Sequence, residues 1–270
     1  MSAETTTDLI RHLQRARIVD LAQSLHSDMP QLPGAPRFHL SLLRRHGDTM
    51  RGEGYSAANE ILFTIGHAGT HIDAIGHVSV GGRLFGDLAA DEIQSGTQGL
   101  KQLGIETVEP IVRRGVLLDI AAFLGVAALA PAFGITSELL QACLAAAGTR
   151  IEVGDVVLVR TGWGQFWGDP ERYVSREAGI PGVDSDGAAW LSARGVFAAG
   201  ADCLMFEKFH PSDNRLPVHC DLIQGAGIHL LENLNLEALA GERVTEFAIV
   251  VLPLKLIGAT ASQIRPIAIL

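Results

Sequence analysis

The chain has 270 residues, 47% of them apolar, and a formal charge of −9 from 21 Lys and Arg against 30 Asp and Glu. So much apolar material builds a large core and argues against a disordered chain, with room for one domain or two closely joined ones. The acidic balance, with basic residues scattered, argues against a stripe that would follow a nucleic-acid backbone.

Residues Ser2 to Arg17 are polar and charged, with Leu9, Ile10 and Leu13 on one side, which predicts an amphipathic N-terminal helix rather than a secretory leader. Ile18 to Leu21 reads as a short strand, followed by a loop from Met29 to Pro36 that Pro30, Pro33 and Gly34 punctuate. Ile61 to Ile65 is expected as a buried strand, and Gly81-Gly82 as an ordinary turn. Gly115 to Ile120 and Val156 to Val159 are apolar runs of strand length. Between them Thr136 is placed to cap a helix through Ala147, with Glu138 in its first turn and Gly148 just past its end.

Thr161 to Gly168 is a glycine-spaced aromatic loop in which Trp163, Phe166 and Trp167 are candidates to line a planar substrate's pocket, although packing is the commoner fate of such rings. Arg160 before it is expected at the surface. Asp186 to Arg194 predicts a short helix ending at Gly195, and Val196 to Ala201 a strand delivering Asp202 and Glu207 to a loop, Glu207 as a solvated residue. Phe247 to Leu254 and Ile264 to Ile269 read as two closing strands around a turn at Gly258 to Ser262. The most apolar region, Ile120 to Phe133, is interrupted by Gly125 and Pro131 and falls short of the ~20 residues of a membrane span. Cys143, Cys203 and Cys220 form no CxxC pair and fit a reducing cytoplasm. The expected partner is therefore a small molecule, not nucleic acid or membrane.

One stretch stands apart. His67, His71, Asp73 and His77 lie at spacings i, i+4, i+6 and i+10 among small and apolar residues. Fully extended, the outer pair would be about 33 Å apart, so the chain must fold back for these side chains to converge. Gly66, Gly69 and Gly76 supply the turns, and a strand end opening into a glycine-shaped turn gathers the set better than one helical turn, which would leave Asp73 pointing away. Any one of these histidines alone would be a hydrogen-bonded core residue. Four polar groups this dense would cost several kcal/mol each if buried unpaired, and a divalent cation satisfies them together. A second polar cluster spans Pro217 to Asp221 and Gly227 to Leu234. There Glu232 follows an apolar run that should be buried, and a lone buried carboxylate needs a partner. His219 and Glu232 could supply further ligands from this second segment, while His229 reads as structural.

These residues resemble the metal-dependent cyclase family of hydrolases, which includes bacterial kynurenine formamidase and isatin hydrolase. The likeness covers most of the chain: Asp20 to Gly34, the motif from His67 to His77, Arg160 to Trp163, Pro217 to His219, Glu232 to Leu234, and Gly258 to Ser262 with Arg265 and Pro266. It implies a compact α/β domain over residues 1–270, with a β-rich, barrel-like core flanked by helices, assembled as a homodimer or homotetramer. It also implies metal binding by His67, His71, Asp73 and Glu232, acid/base work by His77, and a place for His219 as ligand to a second ion or beside a single one. Ala74-Ile75-Gly76 stands where the formamidases commonly carry proline, which weakens transfer of their substrate but not of the metal site.

The chemistry expected is opening of a C–N amide bond, in an aryl formamide or an isatin-like cyclic amide, by water activated on one or two manganese or zinc ions. A zincin is disfavoured because Ala68 stands where its glutamate base would follow the first histidine. A two-histidine, one-carboxylate oxygenase, a lactone hydrolase or cyclase of the same fold, and a non-catalytic scaffold whose ion is structural remain the alternatives.

Overall fold

Four apolar runs form the centre of the fold. Ile111–Asp119, Val156–Arg160, Ala198–Ala201 and His229–Glu232 lie side by side and parallel, in that order. They belong to a computed structural model that describes residues 3–94, 96–213 and 215–270. Such strands read as unbroken apolar runs because both faces of a parallel sheet are covered. Successive side chains divide between two cores: Val116, Leu118, Val157, Val159 and Ala199 point into one, and Leu117, Val156, Leu158 and Ala198 into the other.

Antiparallel strands extend both sides. Glu246–Val251, Ile267–Ile269 and Ile18–Asp20 follow on one flank, and His71–Asp73 and Ala261–Gln263 on the other. The nine strands curl into a half-barrel, so the expected barrel-like core takes an open form, with Ile18–Asp20 and Ala261–Gln263 as its edges. The two closing strands are neighbours as expected, Glu246–Val251 pairing antiparallel with Ile267–Ile269, while the segment expected as their turn also carries a short strand, Ala261–Gln263, to the opposite sheet edge beside the histidine motif.

Helices Ser137–Ala146 and Ser185–Ser192, with the helical turn Pro217–Gly225, cover the first core. Thr136 caps the first helix by accepting from the Leu139 N–H at 3.2 Å, and Gly148 follows it at φ +66°. Asp184 caps the second, accepting from the Gly187 N–H at 3.2 Å. No helix among the described residues is long and apolar enough to cross a membrane.

Two expectations are corrected. The strand Asn59–Phe63 is not buried: it pairs with His39–Arg44 in a separate hairpin, and Ile61, Leu62, Phe63, Leu40, Leu42 and Leu43 are all exposed. Arg160 is buried, because its guanidinium reaches Asp119 at 2.8 Å and Glu237 at 2.8 and 2.9 Å. Burial opposes its charge, but these two carboxylates outweigh that and raise its pKa. The expected N-terminal helix is present as Ala3–Arg15, with Leu9, Ile10 and Leu13 exposed.

Glycine is required where β-structure gives way to the aromatic loop. Gly162 has φ +76°, and a Cβ there would stand 2.1 Å from the Ala127 carbonyl oxygen. Gly81 also has positive φ, +57°, but faces open space. Gly162→Ala should therefore cost more than the 1–3 kcal/mol that left-handed strain alone costs, and Gly81→Ala about 1 kcal/mol. Paired urea denaturation midpoints check this, and equal losses would contradict it.

Candidate metal centre

After Phe63 the chain leaves the exposed hairpin and turns through residues 64–70. Gly69 sits at φ +64°, where a Cβ would strike Leu25 Cδ2 at 2.1 Å. The turn delivers His71–Asp73 into the main sheet, between His229–Glu232 and Ala261–Gln263. Strand alternation puts His71 and Asp73 on one face, while Ile72 enters the core behind them. Glu232 is the cross-strand partner of His71. Two segments 160 residues apart thus meet by ordinary antiparallel register.

His67 Nδ1 lies 2.9 Å from Asp73 Oδ1. His71 Nε2 lies 3.6 Å from the same oxygen and 3.3 Å from Glu232 Oε2. His219 Nε2 stands 3.2 Å from Glu232 Oε1 and 3.9 Å from Asp73 Oδ2. Two groups with metal-binding spacing result, His67, His71, Asp73 and Asp73, His219, Glu232, with Asp73 common to both. All but His67 are buried, and His67 is half-buried.

The donor set fits a divalent cation on independent evidence. His71 Nε2 and Asp73 Oδ1 are buried without a hydrogen-bond partner, the 2.9 Å approach of His67 to that oxygen lying outside hydrogen-bond geometry. Unpaired polar atoms in a buried position are costly, and a shared cation would satisfy both. The other imidazole nitrogens are already committed. His71 Nδ1 donates to the Gly69 carbonyl at 2.9 Å, and His67 Nε2 lies 3.1 Å from Thr260 Oγ1. Bonds on the far nitrogen fix which nitrogen is free for an ion.

The surroundings hold the carboxylates in place. Glu232 Oε1 accepts from the Phe206 N–H at 2.7 Å. His229, read from sequence as structural, donates from Nδ1 to the Asp73 carbonyl at 2.8 Å. Asn233, at φ +55°, donates to the Gly69 carbonyl and accepts from the Tyr173 hydroxyl. Glu207 is the main residue that sequence reading misplaced. It is fully buried and touches His219, not solvent. The test that flagged Glu232, a carboxylate among apolar neighbours, applies equally to Glu207 between Phe206 and Phe209.

Electrostatics follow from this crowding. Burial opposes charge on His71, but Glu232 and Asp73 outweigh it and raise its pKa. His219 is raised further, Glu207, Glu232 and Asp73 overcoming burial. Burial works to raise Asp73 and Glu232, yet the histidines prevail, taking Asp73 well below the usual carboxylate range and Glu232 to about 2. His77, on the turn Ile75–His77, behaves oppositely. Burial, with the charges of His67 and His219, overcomes Asp73 and pushes it down to about 4, not near the ordinary imidazole value expected from sequence. Its ring centroid is 4.2 Å from that of His67 and 6.4 Å from that of His219.

The aromatic loop divides. Trp163 and Trp167 are buried, donating from Nε1 to the Tyr173 and Ser24 carbonyls, and they pack in one cluster with Met29, Phe38 and Ala68 of the motif. Trp163 and Phe166 also line an open cavity of about 1400 Å³, together with residues of the Met29 to Gly34 loop. That lining contains none of the metal-site residues, so the cavity neighbours the acid-imidazole cluster through Ala68 without including it.

The profile of the Cyclase family matches residues 19–208. A kynurenine formamidase from Sphingopyxis alaskensis is 26% identical over 262 residues, 93% of this chain and 97% of that protein. Among solved structures, a novel cyclase superposes with a TM-score of 0.86 at 26% identity, covering 99% of this chain and 93% of its own. Isatin hydrolase A from Ralstonia solanacearum shares the fold, with a TM-score of 0.73 at 23% identity over 100% of this chain and 98% of its own.

The raised pKa values carry a pH prediction. A histidine must be neutral to ligate, so an ion at both groups must displace one proton each from His71 and His219 wherever these are charged. Affinity should weaken as pH falls through those raised values. Calorimetry of Zn²⁺ uptake at pH 6 in buffers of different ionisation enthalpy should show net proton release; none would contradict the assignment.

Proposed function

The chain belongs to the Cyclase family, and from that premise we propose that it is a metal-dependent hydrolase opening the C–N amide bond of an aryl formamide or an isatin-like cyclic amide. The observation that carries the reading is the pair of groups sharing Asp73, with His71 Nε2 and Asp73 Oδ1 left unpaired in a buried place. His67, His71 and Asp73 would hold one ion, and Asp73, His219 and Glu232 a second. Manganese and zinc both suit imidazoles mixed with carboxylates. When bound, such an ion supplies a Lewis acid for the carbonyl and lowers the pKa of a bound water from 15.7 toward about 7.

The chain's own residues do the rest. With its pKa pushed down to about 4, the His77 ring is neutral at pH 7 and free to accept a proton. His77 takes the proton of the attacking water and passes it to the amide nitrogen as the C–N bond breaks, leaving an acid and an amine. Asp73 and Glu232 keep their charge throughout, since their pKa values lie far below neutrality. The Trp163 and Phe166 side of the adjoining cavity suits a flat substrate, with Trp167 packed behind it. The relatives named kynurenine formamidase and isatin hydrolase support a C–N hydrolase.

We also propose that the protein works as a homodimer or homotetramer. The hairpin of His39–Arg44 and Asn59–Phe63 is two-stranded and exposes six large apolar side chains. A free hairpin is marginal in water, and a second copy would cover this one. Cys143, Cys203 and Cys220 are free thiols, in keeping with a reducing cytoplasm.

The test of the activity is hydrolysis of aryl formamides, isatin-like lactams and lactones by manganese- and zinc-loaded protein; turnover of none defeats the reading. His77→Ala should lower kcat about 10²- to 10⁴-fold with metal content unchanged, and full activity would remove the proton role. In light scattering after size exclusion, Leu42→Asp with Phe63→Asp should shift the mass to that of a single chain. A wild type already monomeric would refute the assembly.

A further inference from the structure

The two halves of the metal centre are supported differently. His71 is held through Nδ1 by a backbone carbonyl, that of Gly69. His219 is held through Nδ1 by a side chain: Glu207 Oε1 lies 2.5 Å away. Glu207 does more than orient the ring. The same oxygen accepts from the His219 N–H at 3.1 Å, and Oε2 accepts from the Val218 N–H at 3.2 Å.

Those donors open the helical turn that begins at Pro217. Proline has no N–H to satisfy, so Val218 and His219 carry the first unpaired backbone donors of the turn, and Glu207 takes both. Phe206, the preceding residue, donates to Glu232 Oε1 at 2.7 Å. Two adjacent residues therefore tie the turn and the Glu232 carboxylate to one backbone segment. With Nδ1 donating to Glu207, His219 Nε2 is the nitrogen that faces Glu232 Oε1 at 3.2 Å and Asp73 Oδ2 at 3.9 Å.

We propose that Glu207 is a positioning residue that assembles the second cation subsite, Asp73, His219 and Glu232, while leaving the first, His67, His71 and Asp73, independent of it. This rests on the metal-binding reading above. Glu207 belongs to neither group with metal-binding spacing, and its two oxygens accept three hydrogen bonds from the turn and the His219 ring.

An amide at this position cannot serve the same donors. In Glu207→Gln, an NH₂ turned toward His219 forces Nδ1 to accept, moving the ring proton to Nε2 and removing the lone pair an ion needs. An NH₂ turned toward Val218 instead sets two donors against each other and loosens the turn. Loss of an outer partner of this kind weakens metal binding about 10- to 100-fold.

The experiment titrates metal-free wild type and Glu207→Gln with Mn²⁺, following the free-ion EPR signal, and with Zn²⁺ by calorimetry. Wild type should take up two equivalents. The variant should bind the first with unchanged affinity and the second about 10- to 100-fold more weakly. Glu207→Asp, which keeps an acceptor-only carboxylate one methylene shorter, should fall between the two and carries the same comparison if the amide variant does not fold. Equal weakening of both equivalents would mark Glu207 as a general structural residue and overturn the proposal. So would two wild-type affinities in the variants, or a single equivalent in wild type. No uptake by wild type would instead overturn the functional reading itself.

Discussion

The pairing of His71–Asp73 against His229–Glu232 is the constraint on which the site depends. It sets Glu232 opposite His71 and holds Asp73 within reach of three imidazoles. A slip of one residue would turn His71 and Asp73 into the core now filled by Ile72, and move Ile72 to the polar face. Register is therefore enforced from both sides. Ile72 is wholly buried among apolar neighbours, and on the other face imidazoles and carboxylates neutralise one another. Such a cluster is stable only when its members are satisfied together.

The rest of the local architecture serves that cluster. Three imidazoles use one nitrogen for an anchor and turn the other inward: His67 beside Thr260, His71 on the Gly69 carbonyl, His219 on Glu207. The anchors come from the motif turn, from the segment after the last parallel strand but one, and from the sheet edge. The parallel strands bring these segments to one end of the sheet, the usual location of function in α/β folds. His77 differs in kind. Burial lowers its pKa, whereas the carboxylates around His219 raise that of His219.

The exposed hairpin and the aromatic cavity lie outside this logic of satisfied polar groups. Both strands of the hairpin carry exposed apolar side chains. The cavity is lined by the loop after Met29 and by the turn that Gly162 opens, with Arg172 stacked over the Phe166 ring. The cavity lining thus comes from elements other than those that carry the polar centre.

By itself the sequence determined what periodicity and local density can carry. The unbroken apolar runs at 115–120 and 156–159 read as buried strands, the Thr136 cap set a helix boundary, and the spacing from His67 to His77 marked a polar centre that had to fold back on itself. Tertiary structure alone decided the remainder. Ile61 to Phe63 has the composition of a buried strand, and whether such a segment is covered depends on what packs over it. Arg160 looks exposed until Asp119 and Glu237 approach from elsewhere in the chain. Glu207, twelve residues from His219, meets it only because the chain between them doubles back. The basicity of His77 was equally hidden, because it is set by burial and by the sum of neighbouring charges, quantities that exist only once the fold has brought those groups together.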